Sequence, residues 1–174
     1  GYNNNYNCYI IYMDKAYDHK KYEDKIYKSW EKSGAFSPRT NKAVVQGKPL
    51  TIIMPPPNAN ASLHIGHARF VTIEDALIRY HRMRGEPTLW LPGTDHAGIE
   101  TQYVFEKKLK EEGKSRFDYD NDTLYKMIWN YVMDNKHKTE DQLKALGASC
   151  DWSRNTFTLD PKIVKIVYST FKKL

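Results

Sequence analysis

Cysteine is nearly missing from this sequence: Cys8 and Cys150 are the only two in 174 residues, and they form no Cys-x-x-Cys pair. That excludes a disulfide framework and a thiolate zinc site, and suits a reducing, cytoplasmic compartment. Long apolar runs are missing too. No stretch approaches the roughly 20 apolar residues that a bilayer-spanning helix requires. With 40% hydrophobic residues and a mean hydropathy of −0.73, no membrane span is expected. The first residues lack the basic start and apolar centre of a secretory signal, and no internal repeat is visible. Charge of one sign is only mildly in excess. The 27 Lys and Arg against 21 Asp and Glu leave a net charge of +6, compatible with phosphate-bearing partners without specifying them.

What is present is one domain's worth of chain with clear punctuation. Residues 1–12 are mostly Asn and Tyr without charge, and are expected to be a leader outside the core, with an ordinary start at Met13. Residues 13–50 read as an N-terminal helix and a polar connector. In that helix Tyr22, Ile26 and Trp30 recur every four residues, and Gly34 closes it. Residues 51–174 read as a larger α/β unit. Thr51 to Met54 form a short apolar run halted by Pro55-Pro56-Pro57, which predicts a buried strand ending in a rigid loop.

The spacing of Phe70, Ile73, Leu77 and Tyr80 then predicts a helix from about Ile65 to Arg84, and Pro87 to Leu91 a second strand. Strand, loop, helix and strand make a βαβ unit, whose ligands sit at the carboxyl ends of the strands. Helices are expected over 99–112 and 122–146, with Thr156 to Thr158 extended. Asp160-Pro161 opens a last helix that meets no stop signal before Leu174, so the chain is expected to belong to something longer. Trp90 and Trp152 are assigned to the core.

The chemistry concentrates at the tip of the first strand. There the sequence runs Pro55-Pro56-Pro57-Asn58-Ala59-Asn60-Ala61-Ser62-Leu63-His64-Ile65-Gly66-His67, a stiff strand end, a loop of small residues and a helix start. A helix N-terminus offers unpaired N–H groups and partial positive charge to an anion such as a nucleotide phosphate. His64 and His67 lie three residues apart on one face and can donate to phosphate oxygens, while Gly66 keeps the backbone open to a flat base. Two blander readings compete. The histidines are polar surface residues at a helix start, or His64, His67, Asp95 and His96 ligate a metal.

These residues carry a resemblance that covers nearly the whole chain from Met13. His64-Ile65-Gly66-His67 is similar to the first signature of the class I aminoacyl-tRNA synthetases. The preceding Pro-Pro-Pro-Asn, the stretch Leu91-Pro92-Gly93-Thr94-Asp95-His96-Ala97-Gly98-Ile99-Glu100-Thr101-Gln102, and Leu146-Gly147-Ala148-Ser149-Cys150-Asp151-Trp152-Ser153-Arg154 resemble their valyl branch, the valine-tRNA ligases.

The resemblance implies the N-terminal half of a Rossmann-like catalytic domain, truncated before an editing insertion. It further implies valine, ATP and tRNA(Val) as partners, Mg²⁺ accompanying ATP, and no resident metal. Under it His64 and His67 contact ATP and the transition-state phosphate, and Gly66 admits the adenine. Asp95 pairs with the substrate ammonium, and Pro55, Pro56 and Asn58 line the amino-acid pocket. His96 is a secondary candidate.

The sequence departs from the family in having no Lys-Met-Ser-Lys-Ser signature, since Lys126-Met127 leads into Ile128-Trp129 within an expected helix. The lysine of that signature draws charge off the triphosphate, so this stretch alone is expected to lack a major electrophilic group. Ala61 stands where the family often has Gly. Alternatives are a small His-x-Gly-His nucleotidyltransferase, or a non-catalytic module binding nucleotide or tRNA. An incomplete parallel sheet is also expected to leave an exposed strand edge, and with it marginal stability or self-association.

Overall fold

A parallel pair of strands and the helix that joins them form the centre of the molecule. The computed structural model describes residues 16–38 and 47–174. The expected leader, Cys8, the Met13 start and residues 39–46 of the connector lie outside the described residues. In chain order the elements are α1 (His19–Lys32), β1 (Leu50–Ile53), α2 (Ile65–Met83), β2 (Thr88–Leu91), β3 (Gly93–Thr94), α3 (Gly98–Glu111), α4 (Asn121–Ala145), β4 (Thr156–Phe157) and α5 (Pro161–Phe171), with 3-10 turns at Arg116–Asp118 and Trp152–Arg154.

Strands β1 and β2 pair in parallel from Leu50–Thr88 to Ile53–Leu91, and α2 is their crossover. One more rung follows, as the Met54 N–H donates to the Leu91 carbonyl at 2.9 Å. Pro55 then ends the ladder because it has no N–H to give. A second parallel pair, β3 with β4, was not foreseen in sequence. Each of its strands is two residues long, too short for any periodicity to register.

The main core gathers Met54, Val71, Ile78, Trp90, Leu143, Ala148 and Cys150. Each fully buried large apolar side chain there contributes about 1.5–3 kcal/mol. Trp90 is completely buried, and its indole Nε1–H donates to Glu74 Oε2 at 2.9 Å. Burial pushes the Glu74 carboxyl up, and the indole hydrogen bond partly opposes this. Trp152 is half-buried and packs at the edge of the same core.

Three packing expectations need correction. Strand β1 is not buried on both faces: Leu50 and Ile52 pack on the core, while Ile53 is 72% exposed. Alternation around one covered face produces this pattern. On α2 the expected stripe of Ile73, Leu77 and Tyr80 is exposed, and Val71 and Ile78 are buried instead. On α1 the expected Tyr22, Ile26 and Trp30 are exposed, and Tyr27 is the buried residue.

The period was right and the phase was wrong because polar partners set the phase. Arg82 of α2 donates to Ser149 Oγ at 2.7 Å, to the Ser149 carbonyl at 2.9 Å and to the Phe36 carbonyl at 2.7 Å. Asp75 accepts from both the backbone N–H and the hydroxyl of Ser149. The Tyr27 hydroxyl donates to the Ala148 carbonyl at 2.7 Å and accepts from Trp152 Nε1 at 2.6 Å. Once made, such bonds are costly to leave unsatisfied, so they turn their helices toward the 147–152 segment. Among the described residues, no helix is long and apolar enough to cross a membrane.

Candidate nucleotide and amino-acid site

The sequence from Ser62 to His67 builds a helix start in which the two histidines cap each other. His64 is the N-cap of α2, extended at φ −116° and ψ 174°. Its Nδ1 accepts from the Gly66 N–H at 3.0 Å, while the His64 N–H donates to Nδ1 of His67 at 3.2 Å. Two of the N–H groups that a helix start leaves unpaired are thereby satisfied by ring nitrogens. A nitrogen that accepts an N–H carries no proton of its own, so in both rings the neutral imidazole holds its proton on Nε2. The rings lie 4.1 Å apart between centroids, each with an Nε2–H donor to offer.

His67 is half-buried and His64 exposed. Burial, and then the neighbouring His64, hold the His67 pKa below the usual imidazole value, so at pH 7 it is a neutral donor. Gly66 has a requirement of its own here. A Cβ at this position would sit 2.8 Å from Cε1 and 2.9 Å from Nδ1 of His64, displacing the ring that caps the helix. The structure thus gives Gly66 a role in seating His64, beside the openness expected of it from sequence.

The proline tip is divided. Pro55 and Pro56 are exposed and Pro57 is buried. The Pro57 carbonyl accepts from the Asp95 N–H at 2.9 Å, and the Ala59 N–H donates to the Asp95 carbonyl at 2.7 Å. This parallel bridge sets Asn58 beside Asp95, so the loops at the ends of the two strands are bound together. Asn58 Nδ2 donates to Glu100 Oε2 on α3 at 2.9 Å.

Asp95 uses one carboxylate oxygen internally. Its Oδ1 accepts from the Ala97 N–H at 3.0 Å and from the Thr158 hydroxyl at 3.1 Å. Ala97 is the one non-glycine residue at positive φ among the described residues, at 55°. That left-handed conformation is uncommon for an L residue and typical of places where a structure over-determines a loop for function. His96 Nδ1 meets the same Thr158 Oγ1 at 2.6 Å, with its ring edge-on to Phe157 at 6.5 Å.

Four supporting residues were missed from sequence. The Leu63 N–H donates to Gln142 Oε1 at 2.9 Å, and the Tyr131 hydroxyl donates to the Asn60 carbonyl at 2.6 Å. Both come from α4 and hold the loop that leads into His64. Glu100 and Thr158 hold Asn58 and Asp95. Separations of 42 to 79 residues leave no trace in a local pattern.

His64, Gly66 and His67 thus share one helix start, and Asn58 and Asp95 share one bridge. Among the described residues, no group of three or more His, Cys, Asp or Glu side chains is arranged to hold a metal ion. The metal-ligating alternative for His64, His67, Asp95 and His96 is therefore not supported by their placement.

The sequence profile of the tRNA synthetases class I (I, L, M and V) matches residues 25–174. The chain belongs to the class I tRNA synthetases. As a member of that family it is 52% identical over 152 residues to the valine–tRNA ligase, chloroplastic/mitochondrial 2, of Arabidopsis thaliana, covering 87% of this chain and 15% of that protein. It is 47% identical over 162 residues to the valine–tRNA ligase of Dehalococcoides mccartyi strain CBDB1, covering 93% of this chain and 18% of that protein.

The chain therefore spans less than a fifth of the length of these curated relatives. In fold it is similar to a LeuRS of Agrobacterium radiobacter K84, solved as a ternary complex with tRNA and LeuAMS. The TM-score is 0.66 at 20% identity, covering 91% of this chain and 18% of that one. This likeness bears out the α/β, incomplete Rossmann-like architecture expected from sequence, and the family membership disfavours a small stand-alone nucleotidyltransferase.

Proposed function

We propose that this class I synthetase chain takes part in ATP-dependent activation of valine and its transfer to tRNA(Val). The observation that carries the proposal is the helix start of α2, where backbone N–H groups occupy both imidazole Nδ1 atoms and leave two Nε2–H donors at one spot. Such an array suits a phosphate whose charge grows in the transition state. The valine choice is supported by the valine–tRNA ligases it resembles.

In this reading a valine carboxylate oxygen attacks the α-phosphorus of ATP and pyrophosphate leaves with the electron pair of the broken bond. A ribose hydroxyl at the tRNA 3′ end then attacks the valyl carbonyl, and AMP departs. No covalent enzyme intermediate forms, so the protein's contribution is alignment and charge stabilisation. His64 and His67 donate to phosphate oxygens, and Gly66 keeps His64 seated and the backbone open to adenine. Asp95 receives the valine ammonium on Oδ2, with Pro55, Pro56 and Asn58 forming the wall of the amino-acid pocket.

Mg²⁺ accompanies the triphosphate and offsets its charge. Among the described residues no group of three or more acidic, His or Cys side chains is arranged to hold it, so within this stretch it would enter with the triphosphate. tRNA(Val) and the parts of a longer synthetase beyond this stretch are the remaining partners, and the setting is the cytoplasm.

The test is pyrophosphate exchange into ATP by the purified protein with valine, isoleucine or threonine. Exchange that requires valine and is lost in His64→Ala/His67→Ala supports the proposal. ATP binding that is indifferent to both substitutions overturns it.

A further inference from the structure

Thr158 follows β4 and is held there by its backbone N–H, which donates to the Thr94 carbonyl at 3.2 Å. Its hydroxyl meets three groups. It lies 3.1 Å from Asp95 Oδ1, 2.9 Å from the backbone N of His96 and 2.6 Å from His96 Nδ1. A hydroxyl has one proton to donate and two lone pairs to accept with. The His96 backbone N–H can only donate, so it takes one lone pair. Asp95 is a carboxylate and can only accept, so the hydroxyl proton goes to it.

The second lone pair is left for His96 Nδ1, which must then carry the ring proton. Any other assignment sets two acceptors against each other within a compact cluster, since Asp95 Oδ1 is also 3.5 Å from His96 Nδ1.

We infer that Thr158 is the positioning residue for the Asp95 carboxylate, the group that receives the amino acid's ammonium. Its hydroxyl locks Asp95 by Oδ1 and fixes His96 as the Nδ1–H tautomer, leaving Asp95 Oδ2 free to meet the substrate ammonium. The inference rests on the proposed role of Asp95. Two further features fit it. Both internal bonds of the carboxylate fall on Oδ1, from Ala97 N–H and from Thr158, and the side chain remains 37% exposed. The His96 carbonyl accepts from the buried Thr101 hydroxyl at 2.6 Å, so the segment that carries His96 is pinned on both sides.

The tautomer is opposite to that of His64 and His67.

The experiment compares wild type, Thr158→Val, Thr158→Ser and Asp95→Asn. Ring ¹⁵N shifts read the His96 tautomer, and valine binding is measured calorimetrically. Thr158→Val keeps the shape and removes the hydroxyl. It is expected to release His96 from the pure Nδ1–H form and to weaken valine binding by about tenfold or more, because the bond lost is to a charged group. Thr158→Ser is expected to restore both, a rescue that loss of packing alone would not show.

Thr158→Val with the wild-type tautomer and wild-type valine affinity, while Asp95→Asn abolishes binding, overturns the positioning role alone. Asp95→Asn that binds valine as tightly as wild type overturns the amino-acid role of Asp95 on which the inference stands.

Discussion

Each imidazole of His64 and His67 is committed to a backbone N–H through Nδ1, and in the proposed site it offers Nε2–H to a phosphate. The Nδ1 commitment makes a prediction about acidity. With its pKa depressed, His67 binds fewer protons in the folded chain than in the unfolded chain. The stability it supports is therefore present above the ordinary value of 6.5 and is lost as pH falls through the folded value. Protonation would also fill the lone pair that caps α2. In an NMR titration the His67 Cε1–H resonance should have its midpoint below 6.5, and a midpoint above that value would contradict the capping geometry. Gly66→Ala supplies a second check. The added methyl displaces the His64 ring, and the lost cap should cost about 1 kcal/mol, measurable as a lower urea midpoint together with weakened ATP binding.

Among the elements, α4 has the least obvious part in the site. It contributes no expected site residue, yet Tyr131 and Gln142 fix the loop that delivers His64. Gln142→Ala should leave the global fold intact while loosening the approach to α2, and so weaken ATP binding several-fold with little change in melting temperature. A large loss of stability without any effect on ATP would contradict this division of labour. Tyr27 makes the opposite case. Its hydroxyl joins α1 to the 148–152 segment, and burial pushes its phenol well above the ordinary range, so it remains a neutral donor. Tyr27→Phe leaves a carbonyl and an indole N–H without partners and should cost about 1–3 kcal/mol, seen as a lower melting temperature with ATP affinity unchanged.

The contrast between the two helices also shows what was legible in the sequence. The histidine pair, the proline stop and the βαβ order were readable because they are local. The facing of α1 and α2 was not, because Arg82, Asp75 and Tyr27 find their partners far along the chain. Thr158 was invisible for the same reason: nothing about a threonine after a two-residue strand announces a carboxylate 63 residues earlier.

At the scale of the whole molecule, the described residues include many exposed apolar side chains. Ile53, Ile73, Leu77, Tyr80 and Met83 are exposed around β1 and α2, and Ile166, Val167, Tyr168 and Phe171 along α5. No residue of α5 is buried. Scattered single residues of this kind are ordinary, but exposed apolar side chains repeated at three- and four-residue spacing, as Ile73, Leu77 and Tyr80 are on α2, favour association. Sedimentation of the 174-residue chain should therefore show self-association that grows with concentration and with salt, since salt strengthens apolar contacts while screening the net charge. A clean monomer under all conditions would contradict this. The sequence pointed to a strand edge as the place of association, whereas the exposed apolar side chains lie chiefly on helices, whose outward faces follow from their packing phase.

The central claim is that two mutually capped histidines at the start of α2 form a nucleotide phosphate site. Its most direct test is calorimetric titration of ATP into the chain and into a His64→Ser/His67→Gln variant. Ser at the N-cap and Gln at N3 preserve a capping box, so the helix start survives while both imidazoles are removed. The account predicts that the wild-type chain binds ATP and that the variant, with unchanged circular dichroism, binds it at least about tenfold more weakly. Equal binding by the two would contradict it.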